Sequence, residues 1–275
     1  VSALDAQWLE KPEFRRRNDG NATRLKELLL ASVDTRASGL KEAGLLFSGG
    51  VDSSLLAFLL NDKLTLTCYC AAAEQSHDWL QSQTNAEQMG VELVRIQLTK
   101  ESIRAELPAI VKAVGPDVMK VGVAIPLWFC AKEAKEKHLF FGMGTEEVFA
   151  GYDRHRRLLP DYRAIDAECL RGLLGAWERD VTRDQAVCRA FGKEPLFPYL
   201  DQAFVEEGLA IPAEEKIDAE NNKLVLRRIA AELGLPKEIA FARKKAAQYG
   251  SHSDKIIRAL AKEEKLPVGD YLARL

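Results

Sequence analysis

Leu45-Leu46-Phe47-Ser48-Gly49-Gly50-Val51-Asp52-Ser53-Ser54 is the stretch whose reading decides the fold. Apolar residues run into a tight Ser-Gly-Gly turn, and Leu55-Leu56-Ala57-Phe58-Leu59-Leu60 follows. That order predicts a buried strand, a small-residue loop and a helix with a strongly apolar face. Gly49 and Gly50 carry no Cβ, so backbone N–H groups there can approach an anion. The helix points its unsatisfied N–H groups and the positive end of its dipole at the same place. A loop of this kind is built to hold phosphate. An ordinary strand-to-helix turn of a parallel sheet is the plainer alternative, disfavoured by six residues of pattern in this context.

Two commoner phosphate loops are excluded. No G-x-x-x-x-G-K-[ST] run occurs, since Gly192-Lys193 is followed by Glu194. Gly142-Met143-Gly144 has Glu147 where a dinucleotide fingerprint needs its third glycine. The S-G-G-x-D-S run instead resembles the PP-loop of ATP pyrophosphatases, which split ATP between its α and β phosphates. That resemblance implies ATP and magnesium. Backbone amides with the Ser48 and Ser53 hydroxyls can supply neutral donors, and Asp52 can hold a magnesium that bridges phosphate oxygens.

Outward from the loop, the pattern alternates. Leu25, Leu28, Leu29 and Val33 recur at helical spacing ahead of it. Behind it come a strand over 64–73, a helix over 78–89 stopped at Gly90, and a strand over 91–98. Strand, helix, strand, helix, strand predicts an α/β fold, a doubly wound parallel sheet. The Ser48 loop then sits at the carboxyl edge, where such sheets bind ligands. Helices are predicted over 102–114 and 125–137, the latter with Pro126 near its start. His138-Leu139-Phe140-Phe141 reads as a short buried strand running into a second glycine-bearing loop, Gly142 to Glu147. Beyond Asp153 helical segments dominate. The chain thus divides into a helical lead-in (1–40), an α/β core (41–153) and a largely helical C-terminal part (154–275).

Bulk properties narrow the class. The 275 residues carry 39 Lys and Arg against 41 Asp and Glu, so no strong field advertises a nucleic-acid or membrane partner. The longest apolar stretch, 44–60, is broken by Asp52 and serines, and no secretory leader is legible. Cys68, Cys70, Cys130, Cys169 and Cys188 form no CxxC pair, and His77, His138, His155 and His252 are scattered. Buried cysteines and a reducing cytoplasm are the expectation; a zinc site is not.

Four stretches, taken together, resemble the synthetase domain of asparagine synthetases and their β-lactam synthetase relatives. The first is Ser48-Gly49-Gly50-Val51-Asp52-Ser53. Gly142-Met143-Gly144-Thr145-Glu146-Glu147-Val148-Phe149-Ala150-Gly151-Tyr152 is similar to S-G-E-G-S-D-E-x-F-G-G-Y. Gly192-Lys193-Glu194-Pro195-Leu196-Phe197-Pro198-Tyr199-Leu200-Asp201 is similar to G-x-E-x-R-x-P-F-L-D, with Arg183-Asp184 upstream. Lys223-Leu224-Val225-Leu226-Arg227, Leu235-Pro236-Lys237-Glu238-Ile239 and Arg243-Lys244-Lys245 complete the series, like K-x-x-L-R and L-P-x-x-I-x-x-R-x-K. The resemblance implies the adenine-nucleotide α-hydrolase type of sheet.

It also implies roles. Leu46 and Gly142 would touch adenosine through backbone groups, and Ser48, Gly49, Gly50, Val51, Asp52 and Ser53 would cradle pyrophosphate. Asp52, Glu146 and Glu147 would organise magnesium, and Lys245 would approach the reacting α-phosphate. Met143, Arg183 and Arg243 would contact substrate. A carboxylate would be adenylated and an amine or ammonia would displace AMP, making an AMP-forming carbon–nitrogen ligase. Plainer readings stand beside these: Glu146 and Glu147 also suit any helix N-terminus, and Lys244-Lys245 a solvated pair. Arg154, Arg156 and Arg157 read as a solvated helix face.

Departures from the pattern bear on the second half-reaction. Met143 stands where asparagine synthetases carry a glutamate and the β-lactam relatives a tyrosine, and a thioether cannot accept a proton. Leu196 replaces an arginine, Glu146 an aspartate and Ala150 a glycine. The PP-loop is reached by Ser48, so the expectation is a chain without an amino-terminal glutaminase domain, with ammonia taken free or from a separate glutaminase subunit. Self-association is left open. Two rivals remain: a tRNA-modifying or sulfur-transferring PP-loop enzyme, and an ATP-binding partner subunit that has lost turnover.

Overall fold

The computed structural model describes residues 6–14, 17–242 and 247–275. Arg243 and Lys245, read from sequence as site residues, lie outside them. Five strands form one parallel sheet: β1 (Glu42–Leu46), β2 (Thr65–Ala72), β3 (Glu92–Gln97), β4 (His138–Phe140) and β5 (Glu194–Leu196). Their order is β3-β2-β1-β4-β5. Helices α1 (Ala22–Ala37), α2 (Val51–Asn61), α3 (His77–Met89), α4 (Lys100–Val114) and α5 (Val118–Glu133) connect or cover them.

The topology places the site. From β1 the chain steps through α2 to β2 and through α3 to β3, moving one way across the sheet. It then crosses back by α4 and α5 to β4 on the other side of β1. Right-handed crossovers in opposite directions put their helices on opposite faces. The loops after β1 and β4 therefore part at the switch point, where a crevice opens. β2 is buried at every position from Leu66 to Ala72, because α3 and α5 both pack on it. That is the continuous apolar strand of a two-sided parallel sheet. Cys68 and Cys70 are buried within it, as free thiols.

Two elements depart from the sequence reading. β5 lies beyond Asp153, in the stretch read as helical, and pairs Pro195 with Leu139 and Leu196 with Phe140. Three residues containing a proline give no strand signal, and proline is tolerated there because β5 is an edge. α5 begins two turns before the predicted start, at Val118, where the Asp117 carboxylate caps it by accepting from Lys120 N–H at 2.8 Å. Pro126 thus falls inside the helix. Its missing N–H would leave the Gly122 carbonyl unpaired, and Ser253 Oγ donates to that oxygen instead, at 2.8 Å. One apolar core runs from Leu25 through Leu45, Phe140 and Phe197 to Leu272, so both halves of the chain share it.

Candidate functional site

The Ser48 loop is held from both sides. Gly49 has φ +73°, and a Cβ there would lie 2.8 Å from Gln81 C and Ser82 N of α3. Only glycine satisfies both demands. Asn85 Nδ2 donates to the Gly49 carbonyl at 2.7 Å and fixes the turn against α3. Gly50 caps α2 without a side-chain bond, and the helical ladder opens with Ser54 N–H to Gly50 O at 2.9 Å. The amides of Val51, Asp52 and Ser53 precede that ladder and face the loop. Ser48 Oγ lies 3.4 Å from both Gly50 N and Ser53 Oγ, so the two hydroxyls stand together at the helix entrance.

The loop after β4 rests on the first. A Cβ on Gly142 would come within 3.2 Å of Asp52 Cβ and Ser53 N. The short helix α6 (Thr145–Val148) follows, with Gly144 before it at φ +107° and packed on Leu200. From the C-terminal half, Lys223 reaches in beneath both loops. Its Nζ donates to Asp52 Oδ2 at 2.8 Å and Oδ1 at 3.0 Å, and to Thr145 Oγ1 at 2.9 Å. It lies 2.7 Å from Glu146 Oε1. Lys223 and Asp52 side chains are 3% and 1% exposed, while that of Glu146 is 22% exposed, so the pair is buried and opens towards solvent on the glutamate side. The Thr145 hydroxyl stands 2.8 Å from Asp52 Oδ1, and the Tyr199 hydroxyl donates to the Asp52 carbonyl at 2.9 Å. Bonds of this number are what a buried carboxylate needs.

Lys223 is placed by local strain and a clamp. Its backbone is left-handed, φ 56°, and its N–H donates to Phe149 O at 3.2 Å. Gly151 makes room: a Cβ there would lie 2.5 Å from Lys223 Cε. Buried Arg227 donates to Asn222 O at 2.7 Å, Ala240 O at 2.7 Å and Ala242 O at 3.0 Å. It ties the Lys223 turn to the chain leading towards residue 243.

Glu147 points elsewhere. It accepts from Tyr152 OH at 2.6 Å and from Arg179 at 2.9 Å. Burial first, then the nearby Asp180 and Glu146 charges, push its carboxyl up to about 7. Arg183 is buried and donates to Asp184 Oδ1 at 2.7 Å and Asp180 Oδ1 at 2.9 Å. Burial raises Asp184 to about 6 although Arg183 opposes it. Much of the Arg183 fork is therefore committed to protein carboxylates.

These walls enclose a cavity of about 590 Å³. Leu46, Ser48, Asp52, Ser53, Gly142, Met143, Glu146, Glu147 and Arg183 all border it. Gly49, Gly50 and Val51 shape the loop from behind; each is buried. Asp52 and Glu146 converge on one point, whereas Glu147 is engaged by Tyr152 and Arg179. Oxygen donors from two carboxylates suit a hard cation that takes its remaining ligands from phosphate and water. Among the described residues no cluster of three or more His, Cys, Asp or Glu side chains could hold a metal by itself. No described helix is long and apolar enough to cross a membrane.

Thr145, Tyr199 and Lys223 were not singled out in the sequence. The available signal was Lys223 itself, which heads the Lys223-to-Arg227 stretch. Residues 24–166 and 157–267 match the model of the asparagine synthase family. A Methanocaldococcus jannaschii protein of the asparagine synthetase [glutamine-hydrolyzing] type is 31% identical over 91% of this chain and 54% of its own length. The asparagine synthetase [glutamine-hydrolyzing] of Gallus gallus is 30% identical over 84% of this chain and 44% of its own. The chain spans about half the length of these curated relatives. Among solved structures, the NMN synthetase of Francisella tularensis covers 92% of this chain and 87% of its own at 13% identity, with a TM-score of 0.46.

Proposed function

The chain belongs to the asparagine synthase family, and from that premise we propose that it is an ATP-dependent, AMP-forming carbon–nitrogen ligase acting on an aspartate-like carboxylate. The observation that supports this reading is the convergence of Asp52, Glu146 and Lys223 beside the Ser48 loop. In the proposed first step a carboxylate oxygen attacks the α-phosphorus of ATP, pyrophosphate leaves, and an acyl-adenylate forms. An amine or ammonia then attacks the acyl carbon and AMP leaves with the bonding electrons.

The chain's own groups have distinct tasks in it. Leu46 and Gly142 border the adenosine end, and the Ser48 and Ser53 hydroxyls with the early amides of α2 receive the pyrophosphate. Magnesium, held by Asp52 and Glu146 with phosphate oxygens, would neutralise charge on the leaving group. Lys223 contributes a positive charge to the same corner. Lys245 is assigned to the α-phosphate, and Arg243 to substrate, on the family resemblance alone. The acyl substrate is proposed to lie between Met143 and the Arg179–Arg183 wall. The lead-in, core and helical part proposed for 1–40, 41–153 and 154–275 then act as one site. Ammonia, free or released by a glutaminase, would supply nitrogen.

ATP–pyrophosphate exchange with a panel of amino-acid carboxylates, aspartate included, tests the reading. Carboxylate-dependent exchange is expected. ATP binding without exchange, whatever the acid, would instead favour a partner subunit that has lost turnover. Exchange appearing only with tRNA would favour the nucleic-acid-modifying alternative.

A further inference from the structure

Asp52 and Glu146 are brought to one point, and an ammonium holds that point. Lys223 Nζ lies 2.8 Å from Asp52 Oδ2 and 2.7 Å from Glu146 Oε1. It is no chance surface pairing. The lysine is almost wholly buried, its backbone is left-handed, and Gly151 lacks the Cβ that would strike its Cε. Thr145 Oγ1 accepts from the same ammonium at 2.9 Å. Lys223 offsets the charge of two carboxylates brought together in a poorly solvated corner.

We propose that Lys223 is an internal counter-ion occupying the divalent-cation position of the nucleotide-free site, so that a divalent cation enters only by displacing its ammonium from Asp52 and Glu146. The inference rests on the reading of this cleft as an ATP and magnesium site. A small divalent ion binds carboxylate oxygen far more closely than an ammonium does, and in a low-dielectric corner the two cations repel strongly. Lys223 engages Asp52 Oδ1, Asp52 Oδ2 and Glu146 Oε1, the oxygens that such an ion would need. The displaced ammonium stays buried and needs new acceptors, which a polyphosphate lying along Ser48 to Ser53 supplies. Cation binding is therefore coupled to nucleotide: the metal gains a place when the phosphates give Lys223 another.

Manganese binding to the full chain, followed by the EPR signal of the free ion, tests this without turnover. Wild type without nucleotide should bind Mn²⁺ weakly. Lys223→Met and Lys223→Gln should bind it at least tenfold more tightly under the same conditions. Equal affinity in wild type and both variants would overturn the proposal. If a variant is unfolded in EDTA, Mn²⁺ should restore its cooperative melting, and failure to do so would count equally against it. Wild-type exchange is measured in parallel. Exchange with unaltered Mn²⁺ affinities would sink the counter-ion and leave the ligase standing. Tighter Mn²⁺ binding without exchange would do the reverse.

Discussion

Lys223 Nζ stands 2.8 Å from Asp52 Oδ2 although 171 positions separate the two residues. The ion pair joins the loop after the first strand to a turn in the C-terminal half. Removing one member of a buried pair typically costs about 3–5 kcal/mol when nothing else offsets the remaining charge, and Glu146, 2.7 Å from Lys223, offsets part of it here.

That cost separates two substitutions of Asp52. Asp52→Ala should lower stability by at most about 3–5 kcal/mol, since Glu146 still holds Lys223, and confuse any activity measurement. Asp52→Asn keeps the shape and an acceptor for Lys223 and Thr145, so it should melt above Asp52→Ala. Pyrophosphate exchange should still fall by roughly 100-fold, the scale on which lost transition-state charge stabilisation is felt. Thermal melting and exchange rates on both variants check the order. Near-normal exchange in Asp52→Asn would remove Asp52 from the chemistry.

Gly49→Ala puts a methyl where the backbone is left-handed and α3 is 2.8 Å away. Strain alone costs about 1–2 kcal/mol, and contact with backbone atoms, which cannot rotate aside, adds to it. Denaturant melts should show at least that loss. Affinity for ATP should fall with it, because the loop must move to admit the methyl.

Met143 borders the cavity in the loop that begins at Gly142. Met143→Glu supplies a proton acceptor there. Ammonia-dependent amide formation should rise, while pyrophosphate exchange, which reports the first half-reaction, should change little. No gain in amide would mean that this site handles another nucleophile or finds its base elsewhere.

Glu147 gives a pH signature of known sign. Its carboxyl sits at about 7 in the fold against an ordinary value of 4.5. Between those values the folded protein holds a proton that the unfolded chain has released, so stability falls as pH rises through the window and is level above it. Asp184, raised to about 6, acts in the same direction. Buried His155, lowered to about 4, acts oppositely: its contribution is lost as pH falls from about 6.5. The clean measurement is a difference. Glu147→Gln should gain on wild type as pH climbs from 4.5 to 7, by up to about 3 kcal/mol. A difference independent of pH would show that Glu147 ionises normally.

Much of this is legible in the amino-acid sequence. Strand and helix alternation gave the parallel sheet, and glycine spacing gave two loops at its carboxyl edge. β5 escaped because three residues with Pro195 carry no period. The start of α5 escaped because Pro126 looks like a helix beginning until Ser253 is seen to satisfy Gly122. Glu146 and Glu147 looked like one pair of ligands. Neighbours on a helix point about 100° apart, however, so only one could face Asp52. Lys223 heads a recognisable motif, but its task is not legible there, since its partners are fixed by long-range packing and strain that no local pattern carries.

The hydroxyl of Ser253 has a wider meaning than a repaired bond. α5 forms a wall of the cavity, and its ladder is closed at Gly122 by a residue from a helix that borders none of that space. The wall is thus finished by the tail. Trimming the chain ahead of Ser253 would spare every group that touches the cleft and still loosen its side, as an arch loosens when its buttress is removed.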